Sequence, residues 1–135
     1  MPATDPTSSK RIFIIDDDVE DQEIFMEAVK EVDPSIVCFA STSGEQALEQ
    51  LASGSIHPDL IFLDLNMPKL NGKQILGEIK KIPEVNKIPV IMYSTSFAPR
   101  DLEEIQRVGA VHHLLKPSRF DDLCNALRGL INKKW

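Results

Sequence analysis

The sequence predicts an α/β protein with helices wound onto both faces of a parallel sheet. Five short runs, Arg11 to Ile15, Ile36 to Ala40, Asp59 to Leu63, Ile88 to Tyr93 and Val111 to Leu115, are apolar without strict alternation. Strands apolar on both sides are buried on both faces, as in a parallel sheet. Between the runs stand segments with apolar residues three and four apart, the helical period. Strand alternating with helix, through right-handed crossovers, covers both faces of one sheet.

Taken in order, residues 1–9 are rich in Pro, Ser and Thr and read as a disordered tail. Residues 10–135 read as one domain. After the first strand, Phe25, Ala28, Val29 and Val32 mark a helix. Ala47, Leu48 and Leu51 mark the second, with Ser43 and Gln46 as a capping-box signature at its start. Ile75, Leu76 and Ile79 mark the third. Leu102, Ile105 and Val108 mark the fourth, with Pro99 in its first turn, acids early and Gly109 as its stop. Phe120, Leu123, Leu127 and Leu130 mark the fifth.

Charge and composition exclude several classes. Lys plus Arg number 15 against 21 Asp plus Glu, a net charge of −6. No basic patch exists for phosphate contacts, which argues against nucleic acid as a partner. No apolar run approaches the ~20 residues of a membrane span, and the N-terminus lacks the basic start and apolar stretch of a signal peptide. Cys38 and Cys124 have no ligand spacing and read as buried free thiols of a cytoplasmic protein.

In a sheet of this kind, ligands bind beyond the carboxyl ends of the strands. After the first strand stand Asp16, Asp17 and Asp18. A nucleotide or flavin site would need a loop of backbone donors there, and three acids do the opposite. Two unit charges 4 Å apart repel by roughly 4 kcal/mol at an effective dielectric near 20, so a cation, a proton or solvent must hold them. Asp18, Glu20 and Asp21 read as solvated acids of a helix start. Asp64 closes the apolar third strand, and the three carboxylates Asp16, Asp17 and Asp64 suit a hard divalent cation such as Mg²⁺. The fourth strand ends in Ser94-Thr95-Ser96 and the fifth in Lys116-Pro117. Acids with a metal, a hydroxyl and an amine together can hold a phosphoryl group.

This set resembles the receiver domain of two-component response regulators. The motifs are Asp16-Asp17, Asp64 with Leu65-Asn66-Met67-Pro68 and Asn71-Gly72, Ser94-Thr95, and Lys116-Pro117. The resemblance spans about residues 10–132. It implies a flavodoxin-like, five-stranded sheet of order 2-1-3-4-5. It implies that Asp64 accepts a phosphoryl group from a sensor histidine kinase or phosphotransfer protein. Asp17, Asp64 and the backbone carbonyl of Asn66 match the ligands of Mg²⁺, with Asp16 acting through a water on the metal. Lys116 matches the lysine that pairs with Asp64 and then with the phosphoryl group, which Asn66, Ser94 and Thr95 also contact. Ser94 and His113 match the switch pair, and the bond before Pro117 is expected to be cis.

Two positions depart from the family pattern. His113 stands where Tyr or Phe is usual, and Ser94 where Thr is commoner. With only residues 132–135 beyond the fifth helix, the expectation is a stand-alone receiver that acts on a protein partner, pairs with a second copy, or relays phosphate. The stretch Ile82 to Val90 resembles phytochrome-linked single-domain receivers. Such a protein catalyses only its own phosphorylation and dephosphorylation. Two alternatives stand beside this reading. A haloacid-dehalogenase-type phosphohydrolase needs an acid where Asn66 stands. A phosphorylation-independent scaffold needs none of Asp16, Asp17, Asp64, Ser94 or Lys116. His57 reads as a loop residue, His112 and His113 as facing opposite sides of a strand, and Trp135 as a loosely docked end.

Overall fold

The computed structural model describes residues 10–135, so the tail expected over residues 1–9 lies outside the described residues. The elements run β1 (Arg11–Ile15), α1 (Val19–Val32), β2 (Val37–Ser41), α2 (Gly44–Ser53), β3 (Leu60–Asp64), α3 (Gly72–Ile79), β4 (Val90–Ser94), α4 (Pro99–Val108), β5 (His112–Leu115) and α5 (Phe120–Ile131), with a 3-10 turn at Val85–Lys87. All neighbouring strands pair in parallel, in the order β2-β1-β3-β4-β5. Four strands lie one or two residues away from the apolar runs at one or both ends, because apolar patterning marks the strand and not its last ladder bond.

Consecutive residues on the central strands point to opposite faces, and both faces are apolar. Phe13, Ile15, Ile61, Leu63, Val90 and Met92 pack with α2, α3 and α4 residues such as Leu51, Ile75, Leu76 and Ile105. Ile12, Ile14, Leu60, Phe62, Ile91 and Tyr93 pack with Phe25, Val29, Leu123 and Leu127 of α1 and α5. This double burial is the reason the runs do not alternate. Cys38 and Cys124 are free thiols; Cys124 is buried as expected, but Cys38, on the edge strand β2, is only half-buried, and that burial pushes its thiol up to about 12.

Several expectations need correction. The runs of β2 and β5 are expected to be buried on both faces, yet Val37 and Ala40 of β2, at one sheet edge, and His112, His113 and Leu115 of β5 are exposed. β5 is an edge strand with only β4 beside it. Val108 and Phe120, expected on core-facing stripes, are 39% and 42% exposed, since each sits at a helix end. His112 and His113 do not face apart: their rings stack with centroids 5.7 Å apart, because an edge strand leaves room for both to turn outward. No cis peptide bond occurs among the described residues, so the bond before Pro117 is trans. The two X-Pro isomers differ by only ~0.5–1 kcal/mol, too little for sequence to decide.

Candidate functional site

The carboxyl ends of β1, β3, β4 and β5 meet at one edge. Each end is fixed by a backbone bond that prolongs its ladder. The Asp16 N–H donates to Ser41 O at 3.0 Å, and the Lys116 N–H donates to Ser94 O at 2.7 Å. Asp64 is the last residue of β3 and pairs in register with Tyr93.

The loop after Asp64 depends on Gly72. A Cβ there would lie 2.3 Å from the Asp64 carbonyl oxygen and 2.6 Å from Leu65 Cα. Only glycine lets α3 start this close to β3. The Gly72 N–H donates to Leu65 O at 2.9 Å, and Asn71 and Gln74 form a reciprocal capping box. At α2, Ser43 accepts from the Gln46 N–H at 3.2 Å, but the expected capping box is not completed: the Ser43 N–H donates to Ser41 Oγ at 3.3 Å instead of to the Gln46 side chain.

Asp16, Asp17 and Asp64 each offer a carboxylate oxygen, and these oxygens lie within 4.8 Å of one another. Asp16 and Asp64 are buried and Asp17 is exposed. Three carboxylates opening to one exposed side fit a hard cation that keeps several waters. A neighbouring carboxylate also raises the cost of ionising Asp64. Burial first, then the charge of Asp16, push the Asp64 carboxyl up to about 7, against the opposing pull of Lys116.

Lys116 is the cation of the site. Its Nζ donates to Asp16 Oδ2 at 2.8 Å and to Asp21 Oδ2 at 2.9 Å, and lies 3.9 Å from Asp64 Oδ2. It also stands 5.1 Å from the Tyr93 ring centroid. Burial alone would lower the Lys116 pKa, but its bonds to Asp16 and Asp21 outweigh that and raise it. The ammonium is therefore charged at all ordinary pH.

On the opposite side, Ser94 is fully buried. Its hydroxyl donates to Ser96 O at 2.9 Å and accepts from Asn66 Nδ2 at 3.1 Å. Asn66 in turn donates its N–H to Asp64 Oδ1 at 3.2 Å. Thr95 is exposed beside it. The His113 ring meets Phe97 of the β4–α4 loop edge-on, with centroids 5.1 Å apart.

The family model of the response regulator receiver domain matches residues 12–128. The chain belongs to the response regulator receiver family. The response regulator Rcp1 of Synechocystis sp. is 29% identical over 126 residues, which cover 90% of this receiver and 86% of Rcp1. The crystal structure of the phosphorylated cyanobacterial phytochrome response regulator RcpA superposes with a TM-score of 0.81 at 29% identity, over 91% of each chain. The Mn²⁺-bound form of Rcp1 gives 0.77 at 29% identity, covering 90% of this receiver and 91% of that chain. Other relatives are longer: the receiver spans 50% of DctR from Bacillus subtilis. It shares with them a place in two-component signalling.

The structure brings Asp16, Asp17, Asp64, Asn66, Ser94 and Lys116 to one edge of the receiver. His113 lies one shell out, against Phe97. Sequence reasoning missed two residues. Asp21, taken as a solvated acid, reaches Lys116. Gln22, 5% exposed, donates from Nε2 to Asp16 O at 2.8 Å and Ser41 O at 2.7 Å, tying β1 to β2 beneath the acids. A glutamine on the buried face of α1 was the available signal, since a buried amide must be satisfied.

Proposed function

We propose that this receiver is a phosphorylation switch in which Asp64 is the phosphoacceptor. The observation that carries this is the Asp64 carboxylate, buried at the end of β3, with two more carboxylates within 4.8 Å and the Lys116 ammonium at 3.9 Å. The donor is a sensor histidine kinase or a phosphotransfer protein. Asp17, Asp64 and the Asn66 carbonyl hold Mg²⁺, the metal suited to oxygen ligands and phosphoryl groups. When bound, that ion supplies positive charge to the transferring phosphoryl oxygens. Lys116 supplies a second positive charge, and Asn66, Ser94 and Thr95 contact the phosphoryl oxygens.

The switch pairs Ser94 with His113. The phosphoryl group adds about −1.5 to −2 charge and three acceptor oxygens, which draw the Ser94 hydroxyl from Ser96 O towards Asp64. The β4–α4 loop then moves, and Phe97 carries the change to His113. The face of α4, β5 and α5 is read by a downstream protein or by a second copy of the receiver. The receiver catalyses only its own phosphorylation and dephosphorylation, within residues 10–135, in the cytoplasm. Its likeness to Rcp1 and RcpA supports a phytochrome-type input. No helix among the described residues is long and apolar enough to cross a membrane.

The test is incubation with Mg²⁺ and acetyl phosphate followed by intact mass. One phosphoryl adduct on the wild-type protein, absent in Asp64→Ala, supports the reading. An adduct that persists in Asp64→Ala overturns it.

A further inference from the structure

The buried ammonium at the site has three acid neighbours, and one of them lies outside the acidic cluster. Asp21 sits in the first turn of α1, and its backbone N–H is held by the Asp18 side chain at 3.1 Å. A carboxylate there would ordinarily stay in water, favoured by the helix dipole. Instead it accepts from Lys116 Nζ at 2.9 Å, as short as the bond from Asp16 at 2.8 Å and far shorter than the 3.9 Å to Asp64. The Asp21 side chain is 36% exposed, against 10% for Lys116 and none for Asp16. Asp16 is also fixed by the Asp18 N–H on its other oxygen at 3.0 Å. Asp21 is thus the partner that Lys116 can leave at least cost, because its carboxylate can rehydrate.

We propose that Asp21 is a positioning residue that holds Lys116 on the α1 side and makes phosphorylation of Asp64 slower than it would be with a free lysine. The inference rests on Asp64 being the phosphoacceptor. To neutralise a phosphoryl group arriving at Asp64, Lys116 must move toward it and give up Asp21. That loss falls between the resting protein and the transition state, so it slows formation. Once the acyl phosphate exists, Lys116 has already left Asp21. The bond is then absent from both the ground state and the transition state of hydrolysis, so hydrolysis does not feel Asp21.

The experiment compares wild type, Asp21→Asn and Asp21→Glu with Mg²⁺ and acetyl phosphate. In the forward step the bond between phosphorus and the acyl oxygen of acetyl phosphate breaks. Acetate leaves with the electron pair, and an Asp64 carboxylate oxygen forms the new bond to phosphorus. Formation is followed by mass, and hydrolysis is followed after the donor is removed. Asp21→Asn is expected to accelerate formation about three- to tenfold, the worth of one partly exposed charged bond, with hydrolysis unchanged. Asp21→Glu, which keeps the anion, is expected to restore the slow formation. A merely structural role at the helix start would disturb both rates and slow formation. Formation unchanged or slowed in Asp21→Asn, or both rates altered together, overturns the inference while the phosphoacceptor reading stands. Absence of any adduct on wild type fails the reading itself.

Discussion

Asn66 Nδ2 donates to Ser94 Oγ across 3.1 Å, joining the loop after β3 to the end of β4. The same hydroxyl donates to Ser96 O and is fully buried. In the resting protein the hydroxyl is therefore committed away from Asp64. Ser94→Ala removes a buried hydroxyl bonded to Asn66 and Ser96 but not the carboxylate. It is expected to leave acyl-phosphate formation within about threefold, and to weaken the beryllofluoride-induced shifts of β5 amides in NMR spectra. Full β5 shifts in Ser94→Ala would show that another group carries the coupling.

Asp64 sets a pH dependence with a definite sign. Its carboxyl is raised to about 7 in the folded, metal-free protein, from an ordinary value of 3.8. A raised acid contributes stability that is fully present below about 3.8 and is lost as pH rises through about 7. Asp64→Asn removes that loss. The variant is expected to melt about 5 °C above wild type at pH 8 without metal, and the gap should close toward pH 4. Equal melting differences at both pH values would mean that the charge of Asp64 is not the cause.

Asp17 is the exposed member of the acidic cluster. Asp17→Asn is expected to lower Mg²⁺ affinity at least about tenfold while leaving the metal-free melting temperature equal or higher. In wild type, Mg²⁺ affinity is expected to fall as pH drops below about 7, because the proton on Asp64 competes with the ion. Calorimetric titration at pH 6 and pH 8 measures both. Unaltered binding in Asp17→Asn would mean that the exposed acid is only a solvated neighbour.

Gly72→Ala tests how the loop after β3 is held. The added methyl would meet Asp64 O at 2.3 Å, and backbone on both sides has little room to give. The variant is expected to lose about 1–3 kcal/mol of stability and to phosphorylate more slowly, since Asp64 itself must shift. Urea denaturation gives the first number. A variant as stable as wild type would show that α3 can slide.

Trp135 reports on the outer edge of β5. Its Nε1 donates to Leu130 O at 3.2 Å, and its ring lies 5.7 Å from that of His112. Burial, then His113 and then Lys133, lower the His112 pKa. A lowered base contributes stability that is present above its ordinary value of 6.5 and lost as pH falls through the folded value. Acidification below that range is expected to loosen this contact and change Trp135 fluorescence, and His112→Gln is expected to abolish the change. A titration that persists in His112→Gln would locate the group elsewhere.

The sequence by itself determined which strand-end residues reach the site. Asp16, Asp17, Asp64, Ser94 and Lys116 each follow an apolar run, and parallel strands joined by helices bring all such ends to one edge. That outcome follows from the chain order of near neighbours. Tertiary structure decided whom each residue meets. Lys116 bonds Asp21, 95 residues away, more closely than Asp64, and Gln22 ties β1 to β2. β5 proved exposed because its place at the sheet edge is set by strand order and not by its own composition. The acids of α1 look alike in sequence: Asp18 caps the helix, Glu20 stays exposed, and Asp21 turns inward. Only the tertiary fold, which brings the Lys116 ammonium to the first turn of α1, distinguishes them, because a buried cation draws in the one carboxylate within its reach.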